Sequence, residues 1–190
     1  LDFLLSEMAK RKIYAVLCLN NFWPWSGGMA QYLNWFGAGP IPYPPPAEGG
    51  SWNTFSRYTA KFYSDKNSLL SFQKFIKLVL ERKNTVSGIS YSEDPTIMSW
   101  QLANEPRVVG NSDAFNHWIE DSSNFIKSLD KNHLVTVGSE GETPWPTFSG
   151  VDFIRNHSYA AVDYTTIHIW AQNWAWYDPK AADKTISRAI

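Results

Sequence analysis

The sequence predicts an α/β fold, the middle portion of a (β/α)8 TIM barrel comprising about four βα units. Three observations predict it. Short, mainly apolar runs at 13–19 (IYAVLCL), 97–103 (IMSWQLA), 134–137 and 164–170 (YTTIHIW) carry the mark of strands buried on both faces, as parallel strands are. Stretches with apolar residues at helical spacing stand between these runs, so the connections are helices. No G-x-G-x-x-G or Walker turn follows an early run, although a doubly wound sheet would usually carry one at its phosphate site. A whole barrel normally takes about 250 residues. The chain has 190, so residues 1–190 are expected to form one partial domain with both barrel ends outside it.

Taken in order, Leu1, Leu4, Leu5 and Met8 mark one helical face, closed by Lys10, Arg11 and Lys12, whose charge suits a helix C-terminus. The chain therefore opens in mid-pattern, with no leader at Leu1. The first strand, 13–19, holds the one cysteine, Cys18, which reads as a small buried hydrophobe. Residues 20–65 form a long Trp-, Gly- and Pro-rich excursion containing Trp23, Trp25, Trp35 and Trp52. Loops of this length are usually functional or disordered, and the tryptophans favour function. Leu69, Phe72, Ile76, Val79 and Leu80 then mark a helix, with Asp65 or Asn67 as its cap. After the strand at 97–103, Phe115, Trp118, Ile119, Phe125, Ile126 and Leu129 mark another, starting near Ser112 or Asp113. A strand at 134–137, a short helix at 151–156, a fourth strand at 164–170 and a helix from Pro179 complete the alternation.

Composition excludes several functions. Lys plus Arg is 17 against 18 for Asp plus Glu, a net charge of -1, and the longest basic run is 10–12. Neither nucleic acid nor a membrane surface is an expected partner. No apolar stretch reaches the roughly 18 residues of a membrane span. His117, His133, His157 and His168 lack paired ligand spacing, so no metal and no cofactor is expected. Ser139 is not in a G-x-S-x-G elbow, and the sequon at Asn156 is a pattern that arises often by chance. The unusual figure is the aromatic content of 16%, with 10 Trp, many of them outside the periodic segments. Indole faces suit the C–H faces of sugar rings; they also fill large cores. Composition alone does not separate the two.

In a parallel barrel the working residues come from the C-terminal ends of strands. Those ends carry Asn20, Asn21, Phe22 and Trp23; Asn104, Glu105, Pro106 and Arg107; Gly138, Ser139, Glu140, Gly141 and Glu142; and His168, Ile169 and Trp170. Such a gathering of polar, aromatic and carboxylate groups is what a pocket for an uncharged polar ligand requires. Glu105 is the sharpest candidate. It follows an apolar strand directly, and Pro106 stops that strand. A general acid needs a carboxyl group near a leaving oxygen, its pKa raised by burial or a like charge. The competing possibility at Glu105 is a strand-end salt bridge to Arg107.

WQLANEPR, at 100–107, resembles the Asn-Glu-Pro signature of the clan A glycoside hydrolases. NNFWPWSGGMAQYLNW (20–35), FYSD (62–65), EDPTIMSWQLANEPR (93–107), GSEG (138–141) and DYTTIHIW (163–170) are similar, in that order, to family-five endo-β-1,4-mannanases. The resemblance covers essentially the whole chain. It implies that Asn104 binds the sugar 2-hydroxyl, Glu105 is the acid/base and His168 is the active-site histidine. From their strand-end and loop placement, Trp170 and at least one of Trp23, Trp25 and Trp35 are expected to line the sugar cleft. By the resemblance Trp170 stands where the family usually has Tyr, and Glu142 is expected at a substrate contact. Gln101 replaces a frequent Glu, and Glu142 a frequent aromatic. The four strands match the third to the sixth of the barrel, so the family's nucleophile Glu is expected outside this chain; Glu140 and Glu142 are weaker candidates for a second carboxylate.

The activity so implied is retaining hydrolysis of mannan, glucomannan or galactomannan by a monomeric enzyme, secreted or held in the cell envelope or periplasm. A β-1,4-glucanase of the same family and a non-catalytic carbohydrate-binding barrel are the alternatives. A mere binder has no need of a carboxylate after Asn104.

Overall fold

The computed structural model describes residues 1–141, 149–173, 175 and 177–189. Three strands, β1 (Ala15–Cys18), β2 (Ile97–Gln101) and β3 (Leu134–Thr136), form a parallel sheet in that order. Around them run α1 (Asp2–Lys10), α2 (Gly28–Trp35), α3 (Trp52–Thr59), α4 (Lys66–Leu80), α5 (Ser112–Leu129), α6 (Phe153–Asn156) and α7 (Ala182–Ala189). None of the described helices is long and apolar enough to cross a membrane.

Register lines the strands into rows: Val16, Ser99 and Leu134; Leu17, Trp100 and Val135; Cys18, Gln101 and Thr136. Side chains alternate between faces along a strand. The middle row belongs to the core, where Trp100 and Val135 pack with Phe72, Ile76, Phe115, Trp118 and Ile126 of α4 and α5. The outer rows leave Val16 and Leu134 exposed. The two long helices start where short side chains cap them, since an oxygen before the first turn takes an otherwise orphaned N–H. Asp65 accepts from Ser68 N at 2.8 Å, and Asn111, one residue ahead of the expected start, accepts from Ala114 N at 3.0 Å.

Three expectations change. The stretch 164–170 is extended and alternates between half-buried and exposed residues, but it is not a strand of the sheet. Backbone bonds join it to β3 and its exit at two separated points, Asp163 N to Val135 O at 2.8 Å and His168 N to Glu140 O at 3.1 Å. Between them side chains intervene: Val135 N donates to Asp163 Oδ2 at 2.7 Å, and Thr136 Oγ1 donates to Tyr164 O at 2.9 Å. The excursion at 20–65 is largely helical, because Met29, Ala30 and Leu33 in α2 and Phe55 and Tyr58 in α3 recur at helical spacing and enter the core. Ser51 caps α3 by accepting from Thr54 N at 3.4 Å. Cys18 is exposed rather than buried, since β1 is an edge strand and Cys18 stands in an outer row. The expected α1, α4, α5, α6 and α7 are present, with ends shifted by a few residues.

Candidate active site

The polar ends of the three strands are spliced together beyond the regular ladder. Asn21 pairs with Asn104 in a parallel bridge; Phe22 N donates to Asn104 O at 3.1 Å, and Asn104 N to Asn20 O at 3.0 Å. Glu105 N donates to Gly138 O at 3.0 Å. Gly138 has a φ of 83°, and a Cβ there would stand 1.9 Å from Ala103 O, so only glycine lets the chains approach so closely. Glu105 itself has a φ of 48°. A non-glycine residue in the left-handed region is held there by its surroundings, and such strain gathers at working sites.

Two of the donors to the Glu105 carboxylate lie at 2.7 Å. Trp23 donates through Nε1 to Oε2 at 2.7 Å, and His168 lies with Nδ1 2.7 Å from Oε1. An ionised carboxylate only accepts, so His168 carries its proton on Nδ1. Burial pushes the Glu105 pKa up, but the bonds from His168 and Trp23, with a smaller one from Trp170, outweigh it and hold the group below its ordinary value. The raised pKa expected of a general acid is therefore not what these neighbours produce. Chiefly through its bond to Glu105, His168 is raised.

Arg107 does not pair with Glu105. Its Nη2 lies 2.7 Å from Oε1 and 2.9 Å from Oε2 of Glu140, and its guanidinium sits over the Trp23 ring, 4.9 Å from the centroid. Burial pushes Glu140 up and Arg107 only partly offsets this. These groups share a cleft of about 630 Å³ lined by Trp23, Trp25, Trp52, Asn104, Glu105, Arg107, Glu140, His168, Ile169, Trp170 and Asn173. A larger hollow of about 900 Å³ lies beyond Asn104, along β1 and α4, and has no carboxylate or imidazole among its lining residues. The smaller of the two is the candidate site, because among the described residues that line it an acid, an imidazole base and aromatic walls coincide.

Of the residues singled out from sequence, Asn104, Glu105, His168, Trp170, Trp23 and Trp25 come together in this cleft. Their exposures differ. Trp25 and Trp170 are 65% and 55% exposed, whereas Trp23 is 8% exposed and spends its N–H on Glu105. Trp35 lines the larger hollow instead. Glu142 lies outside the described residues. Arg107 stands among the strand-end residues that predict the pocket but has no role assigned from sequence, and Trp52 and Asn173 are not predicted to line it. Two positions past Glu105, Arg107 invites pairing with that carboxylate, and the structure pairs it with Glu140 instead. Trp52 has as its signal only its place among the tryptophans of the excursion.

Comparison with known proteins gives a consistent result. The family model for GH family 5 beta-mannosidase-like proteins matches residues 1–190. Mannan endo-1,4-beta-mannosidase 4 of Oryza sativa subsp. japonica is 34% identical, over 93% of this chain and 38% of its own length. A Glycoside Hydrolase Family 5 Mannosidase of Rhizomucor miehei, solved as a variant in complex with mannosyl-fructose, superposes with a TM-score of 0.80 at 40% identity, over 94% of this chain and 41% of its own. The endo-beta-1,4-mannanase of Thermotoga petrophila gives 0.78 at 29% identity, over 99% and 41%. The chain thus spans about two fifths of the length of these relatives.

Proposed function

The chain belongs to glycoside hydrolase family 5, in its β-mannosidase-like group, and we propose that the protein carrying it is a retaining endo-β-1,4-mannanase with Glu105 as acid/base. The parallel strands and their helices are a portion of a TIM barrel, as in the family's solved structures. The observation that carries the reading is the Glu105 carboxylate, set just past β2, bonded to His168 and Trp23 and facing a cleft walled by tryptophans.

Retaining hydrolysis uses two carboxyl groups about 5 Å apart: one protonates the leaving oxygen and later activates water, the other attacks the anomeric carbon. Glu105 takes the first role. Its neighbours favour the ionised form, which suits the second step, when it removes a proton from water. For the first step it must be protonated, and a second carboxylate nearby raises its pKa by like-charge repulsion. Glu140 is engaged by Arg107, so the nucleophile is assigned to a segment outside residues 1–190. Asn104, Trp25 and Trp170 bind sugar in this reading, the amide through hydroxyls and the exposed indoles through C–H faces. The substrate is a mannan, glucomannan or galactomannan. A polymer of that size is met outside the cell membrane, which makes the enzyme a secreted or cell-envelope protein.

The test is digestion of β-1,4-mannan and β-1,4-glucan by the protein carrying these residues, with NMR of the first-formed anomer. Release of manno-oligosaccharides with retained β configuration is expected, abolished by Glu105→Gln. Cleavage of glucan in preference to mannan, or binding of both without cleavage, would overturn the reading in favour of a glucanase or a binding barrel.

A further inference from the structure

The Arg107–Glu140 pair is a nearly buried couple of charges in the cleft that the acid/base chemistry leaves without a task. Its geometry points at Trp23. The guanidinium covers one side of the indole at 4.9 Å. Trp25 stacks on the ring at 5.8 Å, while Phe22 and Trp52 meet it edge-on at 5.3 Å and 5.5 Å. The ring is gripped by four neighbours, and its Nε1 proton is directed at Glu105 Oε2 at 2.7 Å. A cation over an indole face draws electron density from the ring and makes the N–H a better donor. It also fixes the ring's tilt, on which a hydrogen bond depends steeply.

We propose that Arg107 is a positioning residue for the acid/base: held by Glu140, it clamps Trp23 and so sets the strength of the Trp23–Glu105 hydrogen bond. The proposal deepens the reading of Glu105 as acid/base and rests on it. The other charged or titratable group on Glu105 is His168, with Glu140 and Arg107 next in reach. Because Arg107 and Glu140 carry opposite charges, their direct fields at Glu105 largely cancel. What remains is the effect transmitted through the ring and one passed through His168, which the Glu140 charge also raises; only the first needs the indole N–H.

The test uses three variants of the protein carrying these residues: Trp23→Phe, which keeps an aromatic ring but removes the indole N–H; Arg107→Met with Glu140→Gln, which removes both charges together; and all three changes combined. The readout is titration of the Glu105 carboxyl carbon by NMR of glutamate-labelled protein, its signal assigned by its loss in Glu105→Gln. Loss of a donor to the carboxylate raises its pKa. The expected rise is about one pH unit for Trp23→Phe and about half a unit for the paired change. In the Trp23→Phe background the paired change should add only the part passed through His168, and the alkaline limb of the pH–rate profile on mannan should move with the carboxyl. A paired change that leaves Glu105 unmoved, or moves it equally with and without the indole N–H, overturns the proposal. Should the paired variant not fold, Arg107→Lys keeps the ion pair and loses the flat stacking, and must raise the Glu105 pKa only when Trp23 is present. If the carboxyl titrates as expected while mannan is untouched, the activity reading fails and the relay stands.

Discussion

At the N-terminal end of the sheet, Asp130 accepts from Trp100 Nε1 at 2.7 Å and from His133 Nδ1 at 2.6 Å. Past the C-terminal end, Glu105 accepts from Trp23 Nε1 and His168 Nδ1, both at 2.7 Å. The donors are the same, an indole and an imidazole, yet the surroundings differ. Asp130 also takes the N–H groups of Asn132 and His133 just after α5, and His133 turns Nε2 onto Asp94 O at 3.0 Å. The aspartate and histidine side chains there are 0% and 6% exposed, against 14% and 26% for Glu105 and His168. One trio is closed on itself and ties α5 to the strands. The other leaves one side open to a cleft, with a strained backbone beneath it and a buried ion pair beside it. Donor chemistry alone does not make a site; what the carboxylate can still reach does.

That difference predicts opposite responses to removing each carboxylate. Glu105→Gln in the protein carrying these residues should lower turnover on mannan by about 10²–10⁴-fold, the usual worth of general acid help. Its melting temperature should barely change, and an aryl mannoside with a very good leaving group should be spared in the first chemical step. Near-normal turnover on polymeric mannan would remove Glu105 from the mechanism.

Asp130→Ala should do the reverse. It strands two buried donors and an imidazolium, which costs about 3 kcal/mol, read from urea unfolding midpoints. Turnover per folded molecule should match the parent. A catalytic loss in fully folded Asp130→Ala would mean that the two ends of the sheet are coupled.

The closed trio should also carry a pH signature. Both His133 nitrogens face acceptors, Asp130 Oδ2 and Asp94 O, so only the imidazolium satisfies both. Burial pulls His133 down, but the bond to Asp130 and its charge lift the net pKa above the ordinary value. A histidine raised in the folded state adds stability that is complete below its unfolded pKa of about 6.5 and is lost as pH rises through the folded value. Stability should therefore decline as pH rises above about 6.5, and His133→Asn should flatten that slope. An unchanged slope in the variant would assign the pH dependence elsewhere. Asp130, lowered by the same partners against its burial, contributes on the acid side, where stability falls as pH drops below the carboxylate range.

How much of this was legible in the sequence differs between the two trios. Glu105 could be found because an apolar run ends in it and Pro106 stops the strand. His168 was found because a second run leads to it, although that run never joins the sheet. The indole on Glu105 was not legible: Trp23 is 82 positions away, and a tryptophan after a strand reads equally as platform or core. The Arg107–Glu140 pair is hidden differently, because proximity in sequence favours Glu105 as the partner of Arg107. The helices of the excursion are hidden by composition, because Gly and Pro at 37–50 set the character of the stretch and mask two short amphipathic segments on either side. The closed trio left no trace at all. Trp100 looked like one more apolar strand residue, and only the fold brings Asp130 beneath it.

The smallest effect separates the two neighbouring tryptophans of the open trio. Trp25 is 65% exposed and stacks on Trp23 at 5.8 Å with its other surface toward the cleft, whereas Trp23 is 8% exposed. An exposed indole has little packing to lose, and a sugar ring laid on it gains the contact energy of a flat apolar face. Trp25→Ala should weaken manno-oligosaccharide affinity about tenfold, roughly 1.4 kcal/mol, and shift the melting temperature by a degree or two, about the scale of a surface change. Trp170→Ala, at 55% exposure, should behave alike, with an added change in the pH profile because its indole also reaches Glu105. Isothermal titration with mannohexaose on a Glu105→Gln background measures affinity without turnover. A large fall in melting temperature with unchanged affinity would return Trp25 to the core and leave the cleft without its outer wall.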